Sequence, residues 1–119
     1  MNKNSDNKGS ELETYINIIT SIAGSSASEV DGVASVSYEV GLSNNIFDFG
    51  KSKKNQAIEV RINNENLVII DMSINVYYGY KIPYIICELQ EKIKKNVEEQ
   101  TYFKIKNINV TVVGVVARH

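Results

Sequence analysis

Little in this 119-residue chain is equipped for covalent chemistry: it has one cysteine, Cys87, one histidine, His119, and no tryptophan. A lone cysteine excludes an internal disulfide and any cysteine-based zinc site, and it fits a reducing cytoplasm. The histidine is the last residue of the sequence, so no anchored imidazole stands ready to activate a serine or cysteine nucleophile. Neither sign of charge dominates, with 13 Lys and Arg against 14 Asp and Glu and a formal net charge of −1. No whole-molecule field therefore favours nucleic acid or an anionic membrane.

Long apolar runs are missing too. Leu67 to Ile70 and Val110 to Val116 fall well short of the roughly 20 residues that a membrane-spanning helix needs, so direct membrane insertion is not expected. The first ten residues, MNKNSDNKGS, carry no apolar core of a secretory signal. The glycines match neither GxGxxG nor GxxxxGK[ST], and the carboxylates follow neither EF-hand nor HExxH spacing. No cofactor, no metal and no enzymatic activity are expected.

What is present is one ordinary core. With 43% hydrophobic residues the chain can bury a core without staples. Residues 1–10 read as a disordered tail, too polar to offset the entropy of ordering them, and 11–117 as a single domain. Ser10 and Glu13 have the spacing of a capping box, so a helix is expected to start there. Leu12, Tyr15, Ile19, Ile22, Ala23 and Ser26, broadened by Ile16 and Ile18, form its apolar stripe. It should end near Glu29, where Asp31-Gly32 supplies a turn.

Val33 to Val40 alternates as a half-buried strand, with Ala34, Val36, Tyr38 and Val40 inward. Residues 41–55 form a long loop in which Phe47 and Phe49 read as anchors to the body, and Lys51, Lys53 and Lys54 as a solubilising run. Two further alternating strands make a hairpin. If their apolar sets share a face, opposed positions sum to an even number, as in Ile62 with Val68, Val60 with Ile70 and Ile58 with Met72. That requires an odd loop, Asn64-Glu65-Asn66, with Asn66 in the left-handed region. It also sets Glu59 opposite Asp71, a like-charge pair that Arg61 bridges diagonally.

Pro83 suits the first turn of a second helix running to about Gln100, with Ile82, Ile85, Ile86, Leu89, Ile93 and Val97 inward. On its wet face, Glu88 with Lys92 and Glu91 with Lys95 form i, i+4 pairs, and Cys87 reads as a small hydrophobe beside the stripe. A last strand, Lys104 to Val116, follows, and Arg118 and His119 read as an end rather than a site. The fold class is α+β: a two-layer sandwich, two helices on one face of a mixed sheet of about four strands, in the order α-β-β-β-α-β. The last strand follows a helical crossover and should lie parallel to the strand ending at Tyr77.

The helix-free sheet face would carry Ser73, Asn75, Tyr77, Asn109 and Thr111, polar but uncharged. Tyr77, Tyr78, Tyr80 and Tyr84 gather at the strand-to-helix junction, where some plug the end of the core and others offer the aromatic area that interfaces favour. Ser73, Asn75, Tyr77, Tyr78, Tyr80, Tyr84, Asn109 and Thr111 are therefore the candidate interaction surface.

Several segments together resemble one family. Ile22-Ala23, Glu29 to Val36, Ile58-Glu59-Val60, Leu67 to Val76, Tyr78-Gly79, Ile82-Pro83, Leu89 to Ile93, Val97-Glu98-Glu99 and Ile108-Asn109-Val110 resemble the alkaline shock, or envelope stress response, protein family of low-GC Gram-positive bacteria. The resemblance implies a small, cytoplasmic, non-enzymatic protein of cell-envelope homeostasis that self-associates or is tethered at the membrane by a small membrane-anchored partner. Two departures stand out: the first ten residues hold no strand-forming residues where the family often opens with a short strand, and Tyr102 or Phe103 stands where a glycine is common before the last strand. The alternative reading is a small regulatory module binding nucleic acid or a metabolite. It lacks the GxxG clamp and the sheet aromatics that single-stranded RNA recognition needs.

Overall fold

The computed structural model describes residues 3–36 and 57–118. Helix α1 spans Lys3–Ser28, strand β1 Val33–Val36, β2 Ile58–Ile62, β3 Leu67–Tyr77, helix α2 Ile82–Gln100 and β4 Lys104–Val116. Tyr38, Val40, the loop residues Phe47, Phe49, Lys51, Lys53 and Lys54, and His119 lie outside the described residues.

Pairing follows the expected register. β2 runs antiparallel to β3 with Ile58 opposite Met72, Val60 opposite Ile70 and Ile62 opposite Val68. Asn66 closes the turn at φ 63°, and the Asn63 side-chain oxygen accepts from the amides of Glu65 (2.8 Å) and Leu67 (3.0 Å). β4 lies parallel to β3 along its whole length, from Leu67 beside Lys104 to Tyr77 beside Val116. β1 pairs antiparallel with the last residues of β3, Ile74 to Val76. Since β4 fills one edge of β3, β1 and β2 share the other, one after the other, and the sheet is mixed.

Both helices cover one face of this sheet. Val68, Ile70, Met72, Ile74 and Val76 of β3 meet Ile19, Ile22, Ala23 and Ala27 of α1 and Ile85, Leu89, Ile93 and Val97 of α2 in one core. The two helices are joined by a hydrogen bond from Asn96 Nδ2 to Ser26 Oγ at 2.8 Å, which satisfies the buried serine.

Four local expectations are corrected. α1 begins at Lys3, so Ser10 lies inside the helix and the capping box does not start it; most of the segment read as a tail is helical. Once the packed turns exist, each further residue adds a hydrogen bond without a new nucleation cost. Leu12 and Ile18 stay 42% exposed, Ile18 because it sits about 100° round the helix from the buried Ile19. In β1 a register shift between Val33 and Ser35 takes Ala34 out of the alternation, and Val33 packs on the core with Val36. Lys92 pairs with Glu29, just past the end of α1 (3.5 Å), rather than Glu88, and the i, i+4 pair seen on α2 is Lys94 with Glu98.

The exit of α2 uses no left-handed residue. Thr101 has φ −133°; its amide and hydroxyl both donate to the Val97 carbonyl, and its hydroxyl oxygen accepts from the Phe103 amide. Phe103 then packs edge-on against Tyr15, with ring centroids 5.1 Å apart, which accounts for an aromatic residue in place of glycine.

Candidate interaction surface

The helix-free face has two chemically distinct halves. Alternation along β3 puts Asp71, Ser73, Asn75 and Tyr77 on it, and pairing places Glu59 and Asn109 on either side of Asp71, Thr111 beside Ser73, and Ser35 and Gly114 beside Asn75. One half is charged: Arg61 Nη2 lies 2.6 Å from Asp71 Oδ2, and Asn109 Nδ2 donates to Asp71 Oδ1 at 2.7 Å. The Asn109 hydrogen bond, with help from the Arg61 guanidinium, holds the Asp71 carboxyl below its ordinary pKa. The expectation of an uncharged face thus fails for this half, because the strand period that brings Ser73 and Asn75 outward brings Asp71 outward as well.

The other half is uncharged. Thr111 is exposed and Ser73 half-buried. Asn75 is only 5% exposed; its Nδ2 donates to Ser35 Oγ at 3.0 Å, while its buried Oδ1 has no hydrogen-bond partner among the described residues.

The four tyrosines divide in two. Tyr78 and Tyr84 are 78% and 70% exposed. Tyr77 and Tyr80 are half-buried beneath Arg118, whose guanidinium lies 5.0 Å and 5.9 Å from their ring centroids and donates to the Tyr80 hydroxyl. Tyr80 in turn donates to Asp31 at 3.4 Å and packs where a Cβ on Gly32 would sit, 2.9 Å away. Gly32 takes φ +99° there, as its turn requires. Arg118, read as a mere chain end, is thus the residue that ties this rim together; only the folded proximity of β4's exit to Tyr77 reveals it.

Elsewhere the chemistry-bearing residues do not gather. Cys87 is exposed rather than packed, with Sγ 3.9 Å from Glu91 Oε2. It lines a groove of about 530 Å³ between α2 and β4, where Gln90 Nε2 donates to the Ile108 carbonyl (2.8 Å) and, just beyond, Glu98 Oε2 accepts from the Ile105 amide (2.9 Å). The amide bond holds the Glu98 pKa below its ordinary value. These two side chains blunt the first half of an edge strand that would otherwise present bare backbone groups. A second groove, about 700 Å³, runs between α1 and β2 past Leu12, Ile16 and Ile58. Among the described residues no three His, Cys, Asp or Glu side chains come together as metal ligands, and no helix is long and apolar enough to cross a membrane.

The sequence matches the model of the alkaline shock protein 23 family, described by its cell envelope-related function, over residues 4–117. The chain belongs to this family. Among its relatives is the uncharacterised protein YqhY of Bacillus subtilis (strain 168), 31% identical over 107 residues that cover 88% of this chain and 76% of YqhY. Among solved structures, a triple variant of the MamM CTD superposes with a TM-score of 0.49 at 16% identity, covering 89% of this chain and 99% of that one. Membership agrees with the segments from Ile22 to Val110 that carry the resemblance in sequence, and it assigns the chain a cell envelope-related function.

Proposed function

We propose that this family member does its cell envelope-related work as a non-enzymatic binding protein in the cytoplasm, self-associating and docking a small membrane-anchored partner through the helix-free sheet face and its tyrosine rim. The observation that carries the reading is the one-sided layering. Both helices bury the same face of the sheet, so among the described residues the opposite face, with Ser73, Thr111 and Asn109, has no helix over it. Among the described residues no lysine or proline guards the uncharged half of that face, and exposed Tyr78 and Tyr84, after β3 and in the first turn of α2, are the residue type that anchors interfaces.

The experiment is recovery of partners by the tagged protein from its own cells after detergent solubilisation of membranes, with a Ser73→Lys, Thr111→Lys double variant as comparison. The reading expects a membrane-protein partner with the wild type and its loss with the variant at unchanged thermal stability. Equal recovery by both would overturn the role of this face.

A further inference from the structure

We infer that the end of the sheet where β3 leads into α2 docks an acidic segment of a protein partner, an inference that rests on the binding-protein reading above and specifies the chemistry of one partner. Three of the large apolar side chains left exposed among the described residues lie at this end: Tyr78 and Tyr84 at 78% and 70%, and Val115 at 53%. Two of them sit on neighbouring strand ends, where Val115 pairs with Val76 and the Tyr78 amide donates to the Val116 carbonyl at 2.8 Å, while Tyr84 stands in the first turn of α2, its amide donating to the Lys81 carbonyl at 3.0 Å.

Two cations stand against tyrosine rings at this end, one by exposed Tyr84 and one by half-buried Tyr77 and Tyr80. Lys81 Nζ lies 5.8 Å from the Tyr84 centroid, and Arg118 lies over Tyr77 and Tyr80. The ion pairs among the described residues are Arg61–Asp71, Lys92–Glu29 and Lys94–Glu98, so neither Lys81 nor Arg118 has a carboxylate there. The first turn of α2 carries no acid. Among the described residues the carboxylate in this network is Asp31, reached through the Tyr80 hydroxyl. Arg118 spends a single N–H on that hydroxyl, which leaves the remaining donors of its planar fork for a carboxylate, while stacking fixes the plane.

Exposed aromatics beside two cations that have no carboxylate partner among the described residues match a segment in which acidic residues alternate with apolar ones: the carboxylates meet Lys81 and Arg118, and the apolar side chains cover Tyr78, Tyr84 and Val115. A nucleic acid or an anionic bilayer fits less well. Both draw their affinity from several cations along a track or plane, whereas the described residues of this rim hold two, on a chain of net charge −1.

The test is selection of binders to the full-length protein from a display library of random short peptides, followed by fluorescence anisotropy of the enriched peptides. The comparison proteins are Lys81→Glu, Lys81→Glu with Arg118→Glu, and Tyr78→Ser with Tyr84→Ser, each checked for an unchanged circular dichroism spectrum. A single-stranded uridine oligonucleotide and vesicles of phosphatidylglycerol and phosphatidylcholine are titrated in parallel. The inference expects enrichment of Asp or Glu beside Leu or Phe, affinity that falls with salt, and a loss of about tenfold or more on charge reversal or on replacing the peptide carboxylates by amides. Lys81→Glu alone, at an exposed position, keeps the test alive if the double variant fails to fold. Neutral or basic peptides that bind only with Tyr78 and Tyr84 intact would overturn the acidic class while leaving the binding-protein reading standing. Selection of nothing, binding indifferent to the rim, or rim-dependent binding of the oligonucleotide or vesicles in place of peptides would overturn the inference itself.

Discussion

Arg61 reaches diagonally across the β2–β3 pair to place Nη2 2.6 Å from Asp71 Oδ2, while Glu59, the residue directly opposite Asp71, has no ion-pair partner among the described residues. The guanidinium therefore offsets a like-charge pair that the register forces on the sheet. Both partners of the ion pair are well exposed, 53% and 39%, so solvent screens most of the attraction. Arg61→Ala should cost no more than about 1 kcal/mol, and Glu59→Gln should be neutral or stabilising by a few tenths. A double-mutant cycle by urea denaturation checks both signs.

Two glycines separate backbone strain from crowding. Gly32 and Gly79 take nearly the same positive φ, 99° and 101°, but a Cβ at Gly32 would lie 2.8 Å from Ile85 and 2.9 Å from Tyr80, whereas one at Gly79 meets nothing within 4 Å. Gly79→Ala should cost about 1–2 kcal/mol, the left-handed penalty alone. Gly32→Ala should cost roughly 2–4 kcal/mol, because overpacking adds to it. Equal midpoint shifts in denaturation would contradict this account.

The even-sum register has a direct energetic consequence. Ile70 is fully buried in the core on the helix-covered face of the sheet, while Ile18 is 42% exposed. Ile70→Ala should cost about 2–5 kcal/mol through lost burial and a residual cavity. Ile18→Ala should stay below about 1 kcal/mol, despite identical chemistry, because most of its surface already meets water. Chemical denaturation of the two variants side by side gives the comparison.

Acid should loosen the fold through two carboxylates. Asp71, held low chiefly by Asn109, and Glu98, held low chiefly by the Ile105 amide, have folded pKa values below their ordinary 3.8 and 4.5. A depressed folded pKa means the unfolded chain binds protons first, so these groups contribute stability above the ordinary values and lose it as pH falls through the folded ones. Thermal midpoints measured from neutral pH down past 3.8 should drop, and the drop should be shallower in Asp71→Asn and Glu98→Gln.

Legibility of the sequence followed the range of the interaction concerned. The hairpin register, the Asn66 turn, the Gly32 turn and the Arg61 bridge all rest on local period and turn chemistry, and each stands as read. The charged half of the sheet face is visible in the same alternation, since Glu59 opposite Asp71 follows from the register, although the expected face of Ser73, Asn75, Tyr77, Asn109 and Thr111 leaves both carboxylates out. What no local pattern carries is the meeting of distant segments: Arg118 on Tyr77 and Tyr80, Lys92 on Glu29, Glu98 on the Ile105 amide, Asn96 on Ser26. A capping box marks where a helix can begin, and cooperative extension lets α1 begin sooner, at Lys3.

The measurement that bears most directly on the proposed role is sedimentation velocity of the wild type and of the Ser73→Lys, Thr111→Lys variant across a concentration series. Ser73 and Thr111 are neighbours on β3 and β4, so two lysines there place like charges at the centre of any contact made by this face. The account predicts a sedimentation coefficient that rises with concentration for the wild type and stays at the monomer value for the variant, at equal thermal stability. A wild type that remains monomeric throughout, or a variant that associates as strongly, would contradict self-association through the helix-free face.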